Sequence, residues 1–258
     1  MIITKIMGGL GNQMFQYAYA KNLSILNKDK FYLDTSFYNH QVGVTPRVFS
    51  LNSFPKLIIN LEIPTQGVPK IIIDNFIYDS QNIFKGDCFL DGYWQSEKYF
   101  KESKNTIIDD FSPDTKNQKK LLEKYPQVTN NSISLHIRRT DYLTSNGYHP
   151  VQTLDYYNKA IDILGNYENI FIFSDDISWC KENLSFNNML FVEGNTDVED
   201  LWLMSLCEKN IIVNSSFSWW GAYLNKNRNK KVIAPSSWFG DGVNLNTQDI
   251  LPEEWIKI

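Results

Sequence analysis

Two adjacent arginines and an aspartate, Arg138, Arg139 and Asp141, follow directly on an apolar alternation, Ile133, Leu135 and Ile137. Apolar residues at period two predict a strand, so the two guanidiniums stand at its C-terminal end. A guanidinium is a rigid fork of donors that matches phosphate oxygens. Open α/β sheets take their ligands outside the carboxyl ends of the strands. The chemistry predicted is the holding of a phosphate-bearing ligand; a surface Arg–Asp pair closing a loop is the alternative at this point. Two more strand ends carry polar groups, Ser174-Asp175-Asp176 and Asn214-Ser215-Ser216. In a parallel sheet all three ends face one edge and can converge on one ligand. His136 is in step with Arg138 along its strand. Ser215, Ser216 and the helix start at Phe217 offer hydroxyl and amide donors to an anion. The Asp175 carboxylate can accept from the paired N–H groups on one edge of guanine, a pattern that uracil does not present. Asp176 reads as the cap of the next helix.

A second loop, Gly8-Gly9-Leu10-Gly11-Asn12-Gln13, lies between a short apolar strand and a dense apolar helix. Asp34 ends the following strand near the spacing of a dinucleotide fingerprint. Counted from Gly9, however, Met14 occupies the place of the third glycine. Its bulk opposes close helix–strand packing, so a dehydrogenase reading is set aside. Gly9, Gly11 and Asn12 are taken as a backbone built for close approach by a ligand, with Asn12 and Gln13 as polar tips; a tight turn with Asn12 as helix cap is the alternative. His40, His136 and His149 lack metal-ligand spacing, and Asp175-Asp176 are adjacent rather than alternating, so no metal site is expected. No GxSxG nucleophile motif occurs.

Elements that could position these groups alternate along the chain. Strands are predicted at 1–7, 31–34, 71–73, 89–95, 133–138, 170–173, 189–192, 211–213 and 231–234. Helices are predicted at 14–26, 97–104, 112–124, from Leu154 on the stripe Leu154, Tyr157, Ile161 and Leu164, from 196 to about 207, and at 217–224. Ser112 with Pro113, Thr153, and Thr196 with Glu199 are the expected helix starts. Strict alternation means parallel sheets with helices on both faces. Polar residues concentrate around 105–130, so the boundary between the halves is set near 111, giving 1–110 and 111–258. At 258 residues, 43% hydrophobic and 21% charged, the chain can bury a full core. A net charge of −4 argues against a nucleic-acid or membrane-surface role driven by bulk charge. Cys88, Cys180 and Cys207 are scattered and odd in number, which reads as buried free thiols in a reducing compartment. No apolar run reaches membrane-spanning length, and the strand-like start does not read as a signal peptide. The expectation is a soluble cytoplasmic protein.

Three ordered blocks then carry a resemblance. They are Gly8-Gly9-Leu10-Gly11-Asn12-Gln13-Met14-Phe15-Gln16-Tyr17-Ala18, His136-Ile137-Arg138-Arg139-Thr140-Asp141-Tyr142, and Asn214-Ser215-Ser216-Phe217-Ser218-Trp219-Trp220-Gly221-Ala222-Tyr223-Leu224. Together with Asp91-Gly92-Tyr93-Trp94-Gln95-Ser96, the chain resembles the bacterial α-1,2-fucosyltransferases of glycosyltransferase family 11. The resemblance implies a GT-B-like α/β fold of two Rossmann-like halves with parallel sheets, the C-terminal half binding the nucleotide sugar. It implies GDP-fucose as donor, a galactose-terminated oligosaccharide or lipid-linked glycan as acceptor, inversion, and no metal or other cofactor. A lipid-linked acceptor would bring the chain to the inner face of a membrane. Arg138 and Arg139 inherit the donor-phosphate role, although Thr140 stands where the family usually has glycine. Asp141 is the base suggested by position, with His149 and Asp34 behind it. The competing reading is a catalytically silent nucleotide-sugar or glycan-binding module on the same scaffold.

Overall fold

The computed structural model describes every residue except 43–44, 65–69 and 75–76. The chain forms two units, Met1–Ser112 with Asn246–Pro252, and Pro113–Leu245 with Glu253–Ile258. The short return of 246–252 to the first unit is fixed by Asp249, whose carboxylate accepts from Tyr78 N at 3.1 Å and from Lys98 Nζ at 2.6 Å.

In the first unit the order is β1 (Ile2–Lys5), α1 (Leu10–Asn27), β2 (Phe31–Asp34), β3 (Lys70–Ile73), β4 (Cys88–Asp91) and α2 (Lys104–Phe111). The strands are parallel in the order β2-β1-β4-β3. Helix α1 begins four residues earlier than the apolar run predicts, with Gly9 as its N-cap, so Gly11, Asn12 and Gln13 form its first turn rather than a loop. Two of its buried polar side chains, Gln13 and Gln16, are tied to neighbouring loops. Gln13 Nε2 donates to Gly8 O (3.1 Å) and Val48 O (2.8 Å), and Gln16 bridges Met7 N (3.0 Å) and Gly92 O (3.1 Å). Satisfied in this way, they lie inside without the desolvation cost of an unpaired amide.

The strand predicted to continue to residue 95 stops at Asp91. A Cβ on Gly92 would come within 2.1 Å of Asp74 Cβ, so only glycine fits there. Asp74 then accepts from Tyr93 N (3.1 Å) and Trp94 N (2.7 Å), holding the buried Trp94 at φ 56°. The polar helix expected from Ser112 is also redrawn. Asp114, not Ser112, caps it by accepting from Asn117 N at 2.8 Å, and Lys104–Phe111 is a separate helix.

The second unit runs α3 (Thr115–Lys124), β5 (Ser132–Ile137), α4 (Thr140–Leu143), α5 (Leu154–Leu164), β6 (Asn169–Ser174), α6 (Ile177–Asn183), β7 (Met189–Phe191), α7 (Asp197–Leu206), β8 (Lys209–Ile211), α8 (Ser216–Tyr223), β9 (Lys231–Ala234) and β10 (Ile256–Lys257). Its six strands are parallel in the order β10-β9-β8-β5-β6-β7. The Thr153 cap and the Thr196–Glu199 capping box form as the sequence predicts. On α5 the buried stripe is Tyr156, Tyr157, Ala160, Ile161 and Leu164, and Leu154 is left exposed at the helix start.

Strand β5 is buried along its whole length. Ile133, Leu135 and Ile137 belong to a core with α5 residues Tyr157 and Ile161. The alternate residues Ser132 and Ser134 are paired, with Gln127 O at 3.2 Å and Asn210 Nδ2 at 2.7 Å. The chain starts at β5, moves outward through β6 and β7, then returns to β8 on the other side. The order therefore reverses between β5 and β8, a switch point of the kind at whose carboxyl-end edge open α/β sheets take their ligands.

Candidate active site

Arg138 and Asn214-Ser215-Ser216 follow β5 and β8, the two strands that flank the switch point. Arg138 is mostly buried and held as a fork. Its Nε donates to Asp141 Oδ1 at 2.9 Å and its Nη2 to Asp141 Oδ2 at 2.8 Å. Asp175 Oδ2 lies 3.3 Å from the same Nε. Burial lowers the Arg138 pKa, but the Asp141 hydrogen bond and the Asp175 charge more than offset it, so the net shift is upward and the cation is fixed. Two carboxylates take one side of the guanidinium. Among the described residues no hydrogen bond is made by Nη1.

Asp175 does not have the setting that base recognition would ask of it. Its Oδ1 accepts from Arg139 N at 2.9 Å, and its Oδ2 accepts from Thr140 N at 3.1 Å and from the Thr140 hydroxyl. The carboxylate is thus committed to the turn that carries the arginines. Asp176 caps α6 as the sequence suggests, accepting from Trp179 N at 3.1 Å. Asp141, the base suggested by position, has both oxygens on Arg138.

The two arginines are not equivalent. The Arg139 guanidinium lies over the Trp179 ring, 3.9 Å from its centroid, and its Nε donates to Asp176 at 3.4 Å. A stacked guanidinium contributes packing as well as charge. Trp179 is not singled out by the sequence reading; its position three residues after the Asp176 cap puts it in the first turn of α6, within reach of the β5 end.

His136, in step with Arg138, is turned inward with 5% of its surface exposed, its ring 5.7 Å from that of Phe217 at the start of α8. Its Nδ1 is buried without a hydrogen-bond partner. Burial, helped by the nearby Arg138 charge, lowers its pKa to about 3. The imidazole is therefore neutral, and no second cation competes with Arg138. The unfolded chain takes up this proton near pH ~6.5, whereas the folded chain resists it down to about 3. The stability contribution is full above the unfolded pKa and is lost as pH falls towards the folded one. Thermal unfolding midpoints are expected to drop between pH 6.5 and 4 in the wild type and to drop less in His136→Asn; equal slopes would remove His136 as the cause.

Ser215 sits in the N-cap position of α8 without capping it through its side chain. Among the described residues no hydrogen bond is made by the hydroxyl of Ser215 or Ser216, so both remain available beside the helix N-terminus. Tyr142 and Gln152, to which the sequence reading assigns no role, tie this loop to the arginine turn. Tyr142 Oη donates to Asn214 O at 2.8 Å, and Gln152 Nε2 donates to Asn214 Oδ1 at 3.2 Å. The Arg138 guanidinium lies 5.8 Å from the Tyr142 ring centre.

Gly9, Gly11 and Asn12 belong to the first unit. There Asn12 Oδ1 accepts from Gln95 Nε2 at 2.7 Å, linking the α1 start to the loop after β4 at that sheet's own switch point, between β1 and β4. Asp34 Oδ1 accepts from Ser36 N at 2.9 Å and serves its own loop. The three cysteines are free and buried. Among the described residues no group of three metal-binding side chains gathers, and no helix is long and apolar enough to cross a membrane.

Residues 76–258 match the family model described as "Glycosyl transferase family 11". The chain is 35% identical to the alpha-1,2-colitosyltransferase of Escherichia coli, with 100% of this chain and 99% of that protein covered. It is 26% identical to a galactoside 2-alpha-L-fucosyltransferase of Caenorhabditis elegans, over 97% of this chain and 77% of the other. In structure it resembles the NodZ alpha-1,6-fucosyltransferase soaked with GDP-fucose, with a TM-score of 0.51 at 13% identity, over 86% of this chain and 91% of that one.

Proposed function

Because this chain belongs to glycosyl transferase family 11, with its GT-B-like fold of two parallel α/β halves, we propose that it moves a 6-deoxy-L-galactose-type sugar from a GDP-linked donor to the 2-hydroxyl of a galactose-containing glycan. Fucose is the first choice of sugar. The second is colitose, which lacks the 3-hydroxyl of fucose; the 35% identical relative named for colitosyl transfer favours it. The observation that carries the reading is Arg138, held by Asp141 and Asp175 at the switch point beside the α8 N-terminus.

In the proposed reaction the galactose 2-hydroxyl attacks the anomeric carbon as the bond to the β-phosphate oxygen breaks; the electron pair leaves with GDP, and the proton of the hydroxyl passes to water. Negative charge grows on that oxygen. Arg138, the Ser215 and Ser216 hydroxyls and the first amides of α8 are donors fixed in advance for it, and preorganised donors stabilise a transition state without reorganisation. This supports departure of the diphosphate without a divalent ion. Single displacement on a β-linked donor gives an α-linked product. Asp141 is assigned to orient Arg138, since both its oxygens are occupied. The acceptor is assigned to the first unit, where Asn12 and Gln95 provide neutral hydrogen-bonding groups at the sheet's switch point.

Calorimetry tests the donor assignment. GDP is expected to bind at least tenfold more tightly than UDP, with the same affinity in an excess of EDTA. Equal affinities would overturn the choice of base, and a manganese requirement for binding or turnover would overturn metal-free departure.

A further inference from the structure

His149 has no role in the reaction described so far, yet it lies in the same setting as Arg138. Its ring stacks on Tyr142, with centroids 4.7 Å apart and 14° between planes. Phe239 approaches the same imidazole at 5.5 Å and 38°, and Tyr148 meets it edge-on at 4.8 Å. The backbone around it is pinned: Ser145 Oγ donates to His149 O and accepts from His149 N, each at 3.2 Å. The Phe239 loop is clamped to the His149 loop. Gly240 N donates to Tyr148 O at 3.1 Å, and a Cβ on Gly240 would fall 1.9 Å from Gly147 O, so the two backbones run in contact.

A hydrogen bond to Nδ1 does not account for this placement. Nδ1 is buried and has no hydrogen-bond partner. A histidine placed for proton transfer is normally oriented by a hydrogen bond to one ring nitrogen; here the ring is held by its faces and edges. What its flat face meets is Tyr142, whose hydroxyl is anchored on Asn214 O at 2.8 Å and whose ring lies beside the Arg138 guanidinium at 5.8 Å. We propose that His149 is a positioning residue that acts as an aromatic spacer, fixing Tyr142 and through it Arg138, and is not the base of the reaction. This rests on the assignment of Arg138 to the donor diphosphate.

The test reads GDP affinity by calorimetry in a double-mutant cycle. His149→Ala removes the stacked face and is expected to weaken GDP about tenfold, the order expected when a side chain held in place before binding must be ordered on binding. His149→Leu, which keeps bulk without a flat ring, should behave like His149→Ala and replaces it if that variant does not fold. His149→Phe should stay within about threefold of wild type in both GDP affinity and kcat, since the ring is retained and only its nitrogens are lost. In an Arg138→Ala background, His149→Ala should add less than a twofold loss.

Failure of His149→Phe to bind GDP or turn over would show that the nitrogens matter and would overturn the spacer. A full tenfold loss in both backgrounds would show that His149 does not act through Arg138, with the same consequence. If Arg138→Ala itself left GDP affinity unchanged, the donor assignment would fall and the inference with it. If only Arg138→Ala weakened GDP, the inference alone would fail.

Discussion

Arg138→Ala is expected to lower kcat by about two orders of magnitude or more, the usual loss when one preorganised transition-state donor is removed. GDP affinity should fall as well, by about tenfold or more, because the charge that develops as the bond breaks is fully present on bound GDP. The side chain is mostly buried and its two carboxylate partners would be left without their cation, so the variant must first be shown to be folded. Arg138→Lys should recover little. An ammonium cannot reach Asp141 through two parallel bonds and still present donors to a phosphate. Arg139→Ala should cost less in kcat, since Arg139 is spread over Trp179 and tied to Asp176. A folded Arg138→Ala enzyme with near wild-type kcat would remove this residue from the mechanism.

Asp175→Ala is expected to have the second largest effect, and of a different kind. The carboxylate accepts from two backbone amides and a hydroxyl of the arginine turn and lies beside Asp141 against Arg138 Nε. Its removal leaves those donors partly buried and unpaired, at a cost of about 1–3 kcal/mol for each group that water does not reach. The melting temperature should fall by several degrees, and kcat should fall at least tenfold as the turn loosens. The preference for GDP over UDP should survive among the molecules that remain folded. Asp175→Asn, which keeps one acceptor oxygen, should sit between wild type and alanine on both scales. If Asp175→Asn abolished the preference for GDP while leaving stability intact, the carboxylate would be reading the base after all.

Where sequence and structure agree, the signal is local and physical. The alternation in 133–137, the Thr153 cap and the Thr196–Glu199 box each state a backbone conformation within a few residues, and each forms. The convergence of Arg138, Asp175 and Ser215 on one edge follows from strand ends in a parallel sheet. The orientation of each side chain does not. Asp175 and His136 stand at strand-end positions that point towards a ligand on a simple count. Asp175 is drawn into the turn by backbone amides that only the folded loop brings to it, and His136 is covered by Phe217 from a helix 80 residues on. The turn after β4 was equally hidden: what stops the strand is Asp74, on another strand's end, pressed against Gly92. Tyr142 and His149 lie seven residues apart and stack only because the loop between them doubles back around Ser145. Non-local contacts of this kind carry no periodic trace in a single sequence.

The most direct measurement is the NMR spectrum of the product formed from GDP-fucose or GDP-colitose and a β-galactoside in excess EDTA. An α-anomeric deoxyhexosyl proton, with its carbon linked to galactose O2, is the predicted result. A β-linked product would contradict single displacement. Binding of GDP without any product from either donor across a panel of galactosides would contradict the transfer itself and leave a nucleotide-sugar-binding module in its place.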